Sequence, residues 1–338
     1  MNNTMFPPHW IPFLVFLVCN FCISESYYKS STPVNFNVRV LNMNVWGIRY
    51  SADRRSERMK GIANFLRKSD YDIVFIQELW SFQDYKLLMK SYRYDYGTRH
   101  GTPGSMTCPS MSRSDHSYIR SYVSPLDCNG LTILSRFPIT DTEFLFFTQQ
   151  APRVPENLVR KGAVSVRLKV RQGGHSLDIT AINSHFSGWF SPTEKTYAHI
   201  RLSQARELRR FAAIQQSKAD VVILAADLNS TPGSPAYTEL ATSLTDVLVE
   251  YSGSRWSRLQ EFNTWGHQNN TWSGPANPTA FKQRCRIDYI MYRARTGVRL
   301  GVETYRTVDE KLRLPGGGLC SLSDHMWTEA ELRIVKHN

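Results

Sequence analysis

The chain has 338 residues, with 41 Lys+Arg against 29 Asp+Glu and a formal net charge of +12. Its 41% hydrophobic and 21% charged residues describe an ordinary globular protein and exclude a disordered, collagenous or coiled-coil chain. A single long apolar run excludes a multi-span membrane protein, and the basic surplus suits a polyanion, either nucleic acid or an anionic membrane surface, without requiring one.

That run, IPFLVFLVCNFCI over residues 11–23, is too short to cross a bilayer and suits the apolar stretch of a signal peptide. Cys22 and Ser24 stand at the −3 and −1 spacing of a cleavage site, although no Lys or Arg precedes the run. Residues 1–25 therefore read as a signal peptide and the protein as secreted and extracellular, with an uncleaved anchor as the alternative. Alternation in FNVRVLNMNVW (36–46) predicts a strand. Over 52–68, Met59, Ile62, Ala63 and Leu66 recur at helical spacing, which leaves Arg54, Arg55, Arg58 and Lys60 to a solvated face.

YDIVFIQ (71–77) predicts a buried strand and 81–92 a helix. Residues 97–128, rich in Gly, Ser and Pro, read as a long loop. Strands are expected over 130–139, 161–170 and 175–185. A helix is expected over about 194–216, with Leu202, Ala205, Leu208 and Ala212 inward, then a buried strand over 219–229. An irregular stretch, 252–284, precedes strands at 286–293 and 325–334. Interleaved strands and helices without a linker predict one mixed α/β domain over 27–338.

Cys19 and Cys22 fall in the leader, leaving Cys108, Cys128, Cys285 and Cys320. No spacing suggests zinc, so export predicts two disulfides. Of the three pairings, the sequence-near one, Cys108–Cys128 with Cys285–Cys320, is favoured, and buried thiols are the alternative. Asn-x-Thr sequons lie at Asn229 and Asn269. Asn229 is reserved for the chemistry below, which leaves Asn269 as the expected glycan acceptor.

Polar residues recur where strands end: Asn44, Glu78, His185, Asp227 with Asn229, Asp288, and the pair Asp324–His325. Ligands collect at such ends because a rigid sheet holds the loops there. The set suits phosphodiester hydrolysis, which needs a deprotonated water and neutralised phosphoryl charge. A hard divalent cation, Mg²⁺ or Mn²⁺ in its place, suits Glu78 assisted by Asn44, with Asp324 on the same metal side. His325 has the pKa of a general base and Asp288 is its orienting carboxylate. Asp227 and Asn229 would hold water and phosphoryl oxygens, and His185 would be a second phosphate contact or a proton donor.

The blocks LNMNVWG (41–47), VFIQELW (74–80), INSHFSG (182–188), AADLNSTPGS (225–234), RIDYIMYR (286–293) and LSDHMW (322–327) resemble, in order, those of the endonuclease/exonuclease/phosphatase superfamily. The resemblance implies a DNase I-like four-layer α/β sandwich, two mixed central sheets flanked by helices. It also implies Mg²⁺ at Glu78 and a His325–Asp288 pair. Within the superfamily the chain is most similar to neutral, Mg²⁺-dependent sphingomyelinases, through LNMNVWGI, ERMKGIANFL, QELWSFQDYKLL and CRIDYIMYRARTG. That branch implies hydrolysis of sphingomyelin in a membrane surface to ceramide and phosphocholine. Trp46, standing where AP endonucleases usually carry an acidic residue, sets the chain apart from that nuclease branch.

A soluble enzyme acting on a bilayer must dock transiently. Trp189 and Phe190, just after His185, are the candidate inserting pair, with core filling as the alternative. No obligate protein partner is indicated. A secreted, metal-dependent DNase I-like endonuclease, for which nucleic acid would be the partner, remains the alternative function.

Overall fold

The structure, a computed structural model, describes residues 33–337 apart from 49–51, 92–95, 98–128, 153–155, 157–158, 189–194 and 254–260. The leader, Cys108, Cys128, Trp189 and Phe190 lie outside the described residues. In chain order the elements are β1 (Val34–Asn44), α1 (Arg55–Lys68), β2 (Ile73–Gln77), α2 (Phe82–Ser91), β3 (Tyr96–Gly97), β4 (Thr132–Ser135), β5 (Ile139–Phe146), β6 (Gly162–Gln172) and β7 (His175–His185). There follow α3 (Ala198–Gln216), β8 (Val221–Asp227), α4 (Pro235–Ala241), β9 (Thr245–Asp246), α5 (Val247–Ser252) and α6 (Pro278–Lys282). The last are β10 (Asp288–Ala294), β11 (Val298–Val308), β12 (Lys311–Arg313), β13 (Leu319–Ser321) and β14 (Trp327–Lys336).

Two sheets form, in the orders β11-β14-β1-β2-β4-β3 and β5-β6-β7-β8-β10-β9, beside a β12-β13 ribbon. Both are mixed: β1 pairs with β2 and β7 with β8 in parallel, and the other pairings are antiparallel. Because side chains alternate across a strand, each sheet has two apolar faces to bury. Val38, Val40, Ile73 and Phe75 of one sheet and Ile179, Ala181, Val221 and Ile223 of the other share the core between the sheets. Leu41, Met43, Val74 and Ile76 point outward onto Met59, Ile62 and Leu66 of α1, and Val222 and Leu224 onto Leu208 and Phe211 of α3. Each such side chain contributes about 1.5–3 kcal/mol of burial. The result is helix, sheet, sheet, helix, the four-layer sandwich that the resemblance implies. Among the described residues no helix is long and apolar enough to cross a membrane.

Several local expectations are corrected. The segment 130–139 holds the whole of β4 and the first residue of β5, and the two strands belong to different sheets. Ser135 Oγ accepts the Phe137 N–H at 2.9 Å and Pro138 has no N–H to give, so the ladder stops and the chain crosses over. β11 has no counterpart among the expected strands, because a register shift between Val302 and Thr304 breaks its alternation. Arg58, assigned to solvent, is fully buried, while Lys60 is exposed.

Cys285 and Cys320 are not joined to each other. Cys285 is fixed by a main-chain bridge to Trp265, whereas Cys320 sits in the β12-β13 ribbon opposite Leu312. Nearness in sequence does not bring the two side chains into bonding range, which disulfide geometry demands.

Candidate active site

The face shared between the sheets turns polar at one end. Along β1, Val38 and Val40 give way to Asn42 and Asn44; along β2, Ile73 and Phe75 give way to Gln77. Along β7, Ile179 and Ala181 give way to Asn183 and His185, and along β8, Ile223 and Ala225 to Asp227. β10 runs antiparallel and enters on Asp288. Register places His185 and Asp288 on either side of Asp227, and Asn44 beside Gln77, which Glu78 follows. Gln77 ties the sheets together: its Nε2 donates to Asn42 Oδ1 at 2.7 Å and to Asn183 Oδ1 at 2.6 Å. All three side chains are fully buried.

The groups expected from sequence meet there. Asn44 Nδ2 donates to Glu78 Oε1 at 3.0 Å and to Asp227 Oδ2 at 2.9 Å, while its Oδ1 accepts the Trp46 N–H at 2.9 Å. Asn44 thus presents its amide nitrogen to the carboxylates and holds them together. His185 Nε2 stands 3.4 Å from Asp227 Oδ2 and 4.0 Å from Glu78 Oε1. His325 Nε2 stands 3.9 Å from the same Asp227 oxygen, and its Nδ1 is 2.9 Å from Asp288 Oδ2. Asn229 Nδ2 lies 3.2 Å from His185 Nε2, and its main-chain N–H donates to Asp227 Oδ1 at 3.0 Å. Asp324 is partly buried beside the cluster, and its main-chain carbonyl accepts from Ser273 Oγ at 2.6 Å. Asn269 is exposed, away from these contacts.

Burial and like charge set the protonation states. His185 is held well below the ordinary imidazole value by burial, then by Lys161 and His325, and is neutral. Burial also opposes charge on His325, but Asp288, with Asp227 and Asp324, outweighs it and holds the imidazole well above its usual value. Asp227 is pushed up by burial and by Asp288, and Asp324 up to about 6 by burial.

Glu78 Oε2 is buried without a hydrogen-bond partner. Ligand atoms of Glu78, His185 and Asp227 lie within 4.8 Å of one another, as do those of Asp227, Asp288 and His325. Crowded, partly orphaned carboxylate oxygens are what a hard divalent cation satisfies, by ligating oxygen and relieving like-charge repulsion. The donors present fit Mg²⁺.

The frame is strained where it matters. Trp46, Glu78 and Asn229 have φ of 47°, 58° and 44°, in the left-handed region. Such positions cost about 1–3 kcal/mol each for residues with a Cβ and persist only where the surroundings impose them. Gly47 allows the approach: a Cβ there would lie 2.2 Å from the Glu78 carbonyl oxygen.

Sequence reasoning missed three contributors. Lys161, read only as the start of a strand, is buried with Nζ 2.9 Å from His185 Nε2. A Cβ on Gly162 would lie 2.0 Å from the Leu145 carbonyl oxygen, so only glycine lets this corner close up. Arg58 donates to the carbonyls of Val45, Trp46, Asp53 and Leu322 and so joins the loops after Asn44 and before Asp324. Trp265, from the irregular stretch, sets its ring 5.1 Å from that of His325. A charged residue just before a glycine that opens a strand was the only visible signal, and it pointed to Lys161 alone.

Residues 41–325, which take in every site residue above and all but the last two residues of the final block, match the model of the Endonuclease/Exonuclease/phosphatase family. The chain belongs to that family. It is 25% identical to human sphingomyelin phosphodiesterase 2, over 90% of this chain and 66% of the relative. To the inositol phosphosphingolipids phospholipase C of Saccharomyces cerevisiae it is 27% identical, over 89% of this chain and 65% of the relative. The chain thus spans just under two thirds of the length of these relatives. A mutant of the Staphylococcus aureus beta toxin with bound magnesium ions shares the fold with a TM-score of 0.56 at 18% identity, covering 87% of this chain and 99% of the toxin.

Proposed function

We propose that the chain is a Mg²⁺-dependent phosphodiesterase that hydrolyses sphingomyelin in the phospholipase C sense, giving ceramide and phosphocholine. One observation carries the reading: His325, oriented through Nδ1 by Asp288 at 2.9 Å, turns Nε2 toward the carboxylate cluster of Asp227 and Glu78. The names of the relatives support a sphingolipid as the substrate class.

In this mechanism neutral His325 takes a proton from water at Nε2 as the water oxygen attacks phosphorus, and Asp288 stabilises the imidazolium that forms. The phosphorus–oxygen bond to ceramide breaks, and the ceramide oxygen takes a proton from water. Glu78, with Asp227 beside it, would hold Mg²⁺ (Mn²⁺ suits the same oxygen donors), and the ion would neutralise charge on the phosphoryl oxygens. Lys161 Nζ and Asn229 Nδ2, grouped at His185, supply donors on the other wall, where negative charge develops. Asn44 keeps the two carboxylates from drifting apart.

The deciding experiment offers the purified protein, with Mg²⁺, sphingomyelin vesicles and DNA in parallel. Phosphocholine release without DNA cleavage is expected; DNA cleavage alone would establish the endonuclease reading and sink this one.

Export belongs to the same proposal, with residues 1–25 removed, a single catalytic domain over 27–338, and a glycan on Asn269. The apolar run at 11–23 and the exposure of Asn269 support it. N-terminal sequencing of the secreted protein, and a glycosidase-sensitive mass lost in Asn269→Gln, test the two parts. Transient docking through Trp189 and Phe190 predicts that their joint replacement by Ala weakens vesicle hydrolysis and spares a soluble short-chain substrate.

A further inference from the structure

The segment 261–274 lies between the second sheet and β14 and carries no residue of the proposed chemistry, yet it contacts both halves of the His325–Asp288 pair. Thr264 is fully buried. Its Oγ1 accepts two main-chain N–H groups, from Ile287 at 3.0 Å and from Asp288 at 3.1 Å. Its carbonyl accepts the N–H of Met326, the residue after His325, at 2.8 Å. The dipeptide Thr264–Trp265 is anchored in turn, since both its N–H groups donate to the Cys285 carbonyl at 3.0 Å and Cys285 N–H returns to Trp265 O at 3.0 Å. The indole of Trp265 then closes against the imidazole of His325.

From these contacts we infer that Thr264 is a positioning residue for the general base: it sets the distance between the Asp288 carboxylate and His325 Nδ1. The inference rests on the proposed hydrolysis for its kinetic part only. Asp288 sits at the mouth of β10, where the ladder to Asp227 begins, and strand ends fray unless their main-chain groups are held. One hydroxyl holds the N–H of Asp288 and of the residue before it, while the same residue's carbonyl holds the turn that presents His325. A shift at Thr264 therefore moves carboxylate and imidazole relative to each other, although Thr264 touches neither side chain. Partners that orient a functional group indirectly typically change activity by about 10–100-fold when lost.

The test uses near-isosteric replacements in the full chain. Thr264→Val keeps the volume and removes the acceptor; Thr264→Ser keeps the acceptor. Thr264→Val is expected to lower kcat on sphingomyelin about 10–100-fold with KM and Mg²⁺ affinity unchanged, and Thr264→Ser to retain the wild-type rate. In an Asp288→Ala background, Thr264→Val is expected to cause no further loss, because the two act through one contact. A readout that needs no substrate is the far-downfield proton resonance of the hydrogen-bonded His325 Nδ1–H. It should persist in Thr264→Ser and disappear in both Thr264→Val and Asp288→Ala.

Should Thr264→Val not fold, Thr264→Ala, which leaves room for water, takes the same measurements. Full activity with the downfield resonance intact in the Val or Ala variant would overturn the inference, and so would losses that multiply with Asp288→Ala. A wild-type protein inactive on sphingomyelin would overturn the proposed reaction instead, and the resonance would still decide the role of Thr264.

Discussion

Gln77→Leu perturbs the element on which the site's assembly depends. Gln77 Nε2 bridges Asn42 on its own sheet and Asn183 on the other, with no water-exposed surface on any of the three. Leucine fills nearly the same space but orphans both Asn Oδ1 atoms, each at a cost of about 1–3 kcal/mol. Gln77 Oε1 is itself buried without a hydrogen-bond partner, so its removal returns a penalty of the same size. The net loss is about 2 kcal/mol, roughly a thirtyfold change in the folding equilibrium. Because Glu78 follows Gln77 directly, Mg²⁺-dependent stabilisation should fall as well. Urea unfolding with and without Mg²⁺ measures both effects. Ile76→Val, on the opposite face of the same strand, serves as the packing control: about 0.5–1.5 kcal/mol lost and the Mg²⁺ response intact. A loss below about 0.5 kcal/mol for Gln77→Leu, with an unchanged Mg²⁺ response, would refute the idea that this bridge holds the sheets in register.

Metal binding can be read without turnover: at a hundredfold excess over Kd, Mg²⁺ should stabilise the protein by about 2.7 kcal/mol. Glu78→Gln should abolish most of that gain in a thermal melt, and an undiminished gain would move the ion elsewhere. The raised His325 fixes a pH direction. Its pairing with Asp288 stabilises the fold fully below the unfolded imidazole value near 6.5 and is lost as pH rises through the folded value. Base catalysis runs oppositely, so turnover should climb with pH through that value. Asp288→Asn should lower kcat by about 100- to 10,000-fold and move the acid limb of the pH–rate profile to lower pH; an upward move would contradict the pairing. Gly162→Ala should cost about 1–3 kcal/mol by forcing a Cβ against the Leu145 carbonyl, and should reduce kcat by displacing Lys161, as unfolding and turnover measurements would show.

Much of this was legible in the chain. Alternation placed β1, and apolar runs placed β2 and β8, because a strand buried on both faces reads as an apolar run wherever it sits. The same runs end in Asn44, Glu78, His185 and Asp227, so the change from apolar to polar already marked the wet end of each strand. Helical spacing in α1 marked Met59, Ile62 and Leu66, whose contacts with the strand face need only a period and a hydrophobic side.

What periodicity does not carry is which surfaces meet. Arg58 has the spacing of a solvated residue and is buried, because two loops from opposite ends of the chain close over it and supply carbonyls no local pattern encodes. Lys161 and Thr264 acquire their partners across 24 residues in each case, His185 for one and Asp288 for the other, through turns whose geometry local propensity does not set. Cys285 and Cys320 stay apart for the same reason, since main-chain bridges rather than chain distance fix where each thiol lies. Sequence alone marked the central strands, the apolar faces of the long helices and the polar residues at the strand ends. Only the stacking of one sheet on the other, at the register that Gln77, Asn42 and Asn183 lock, decided that those ends meet in a single cluster.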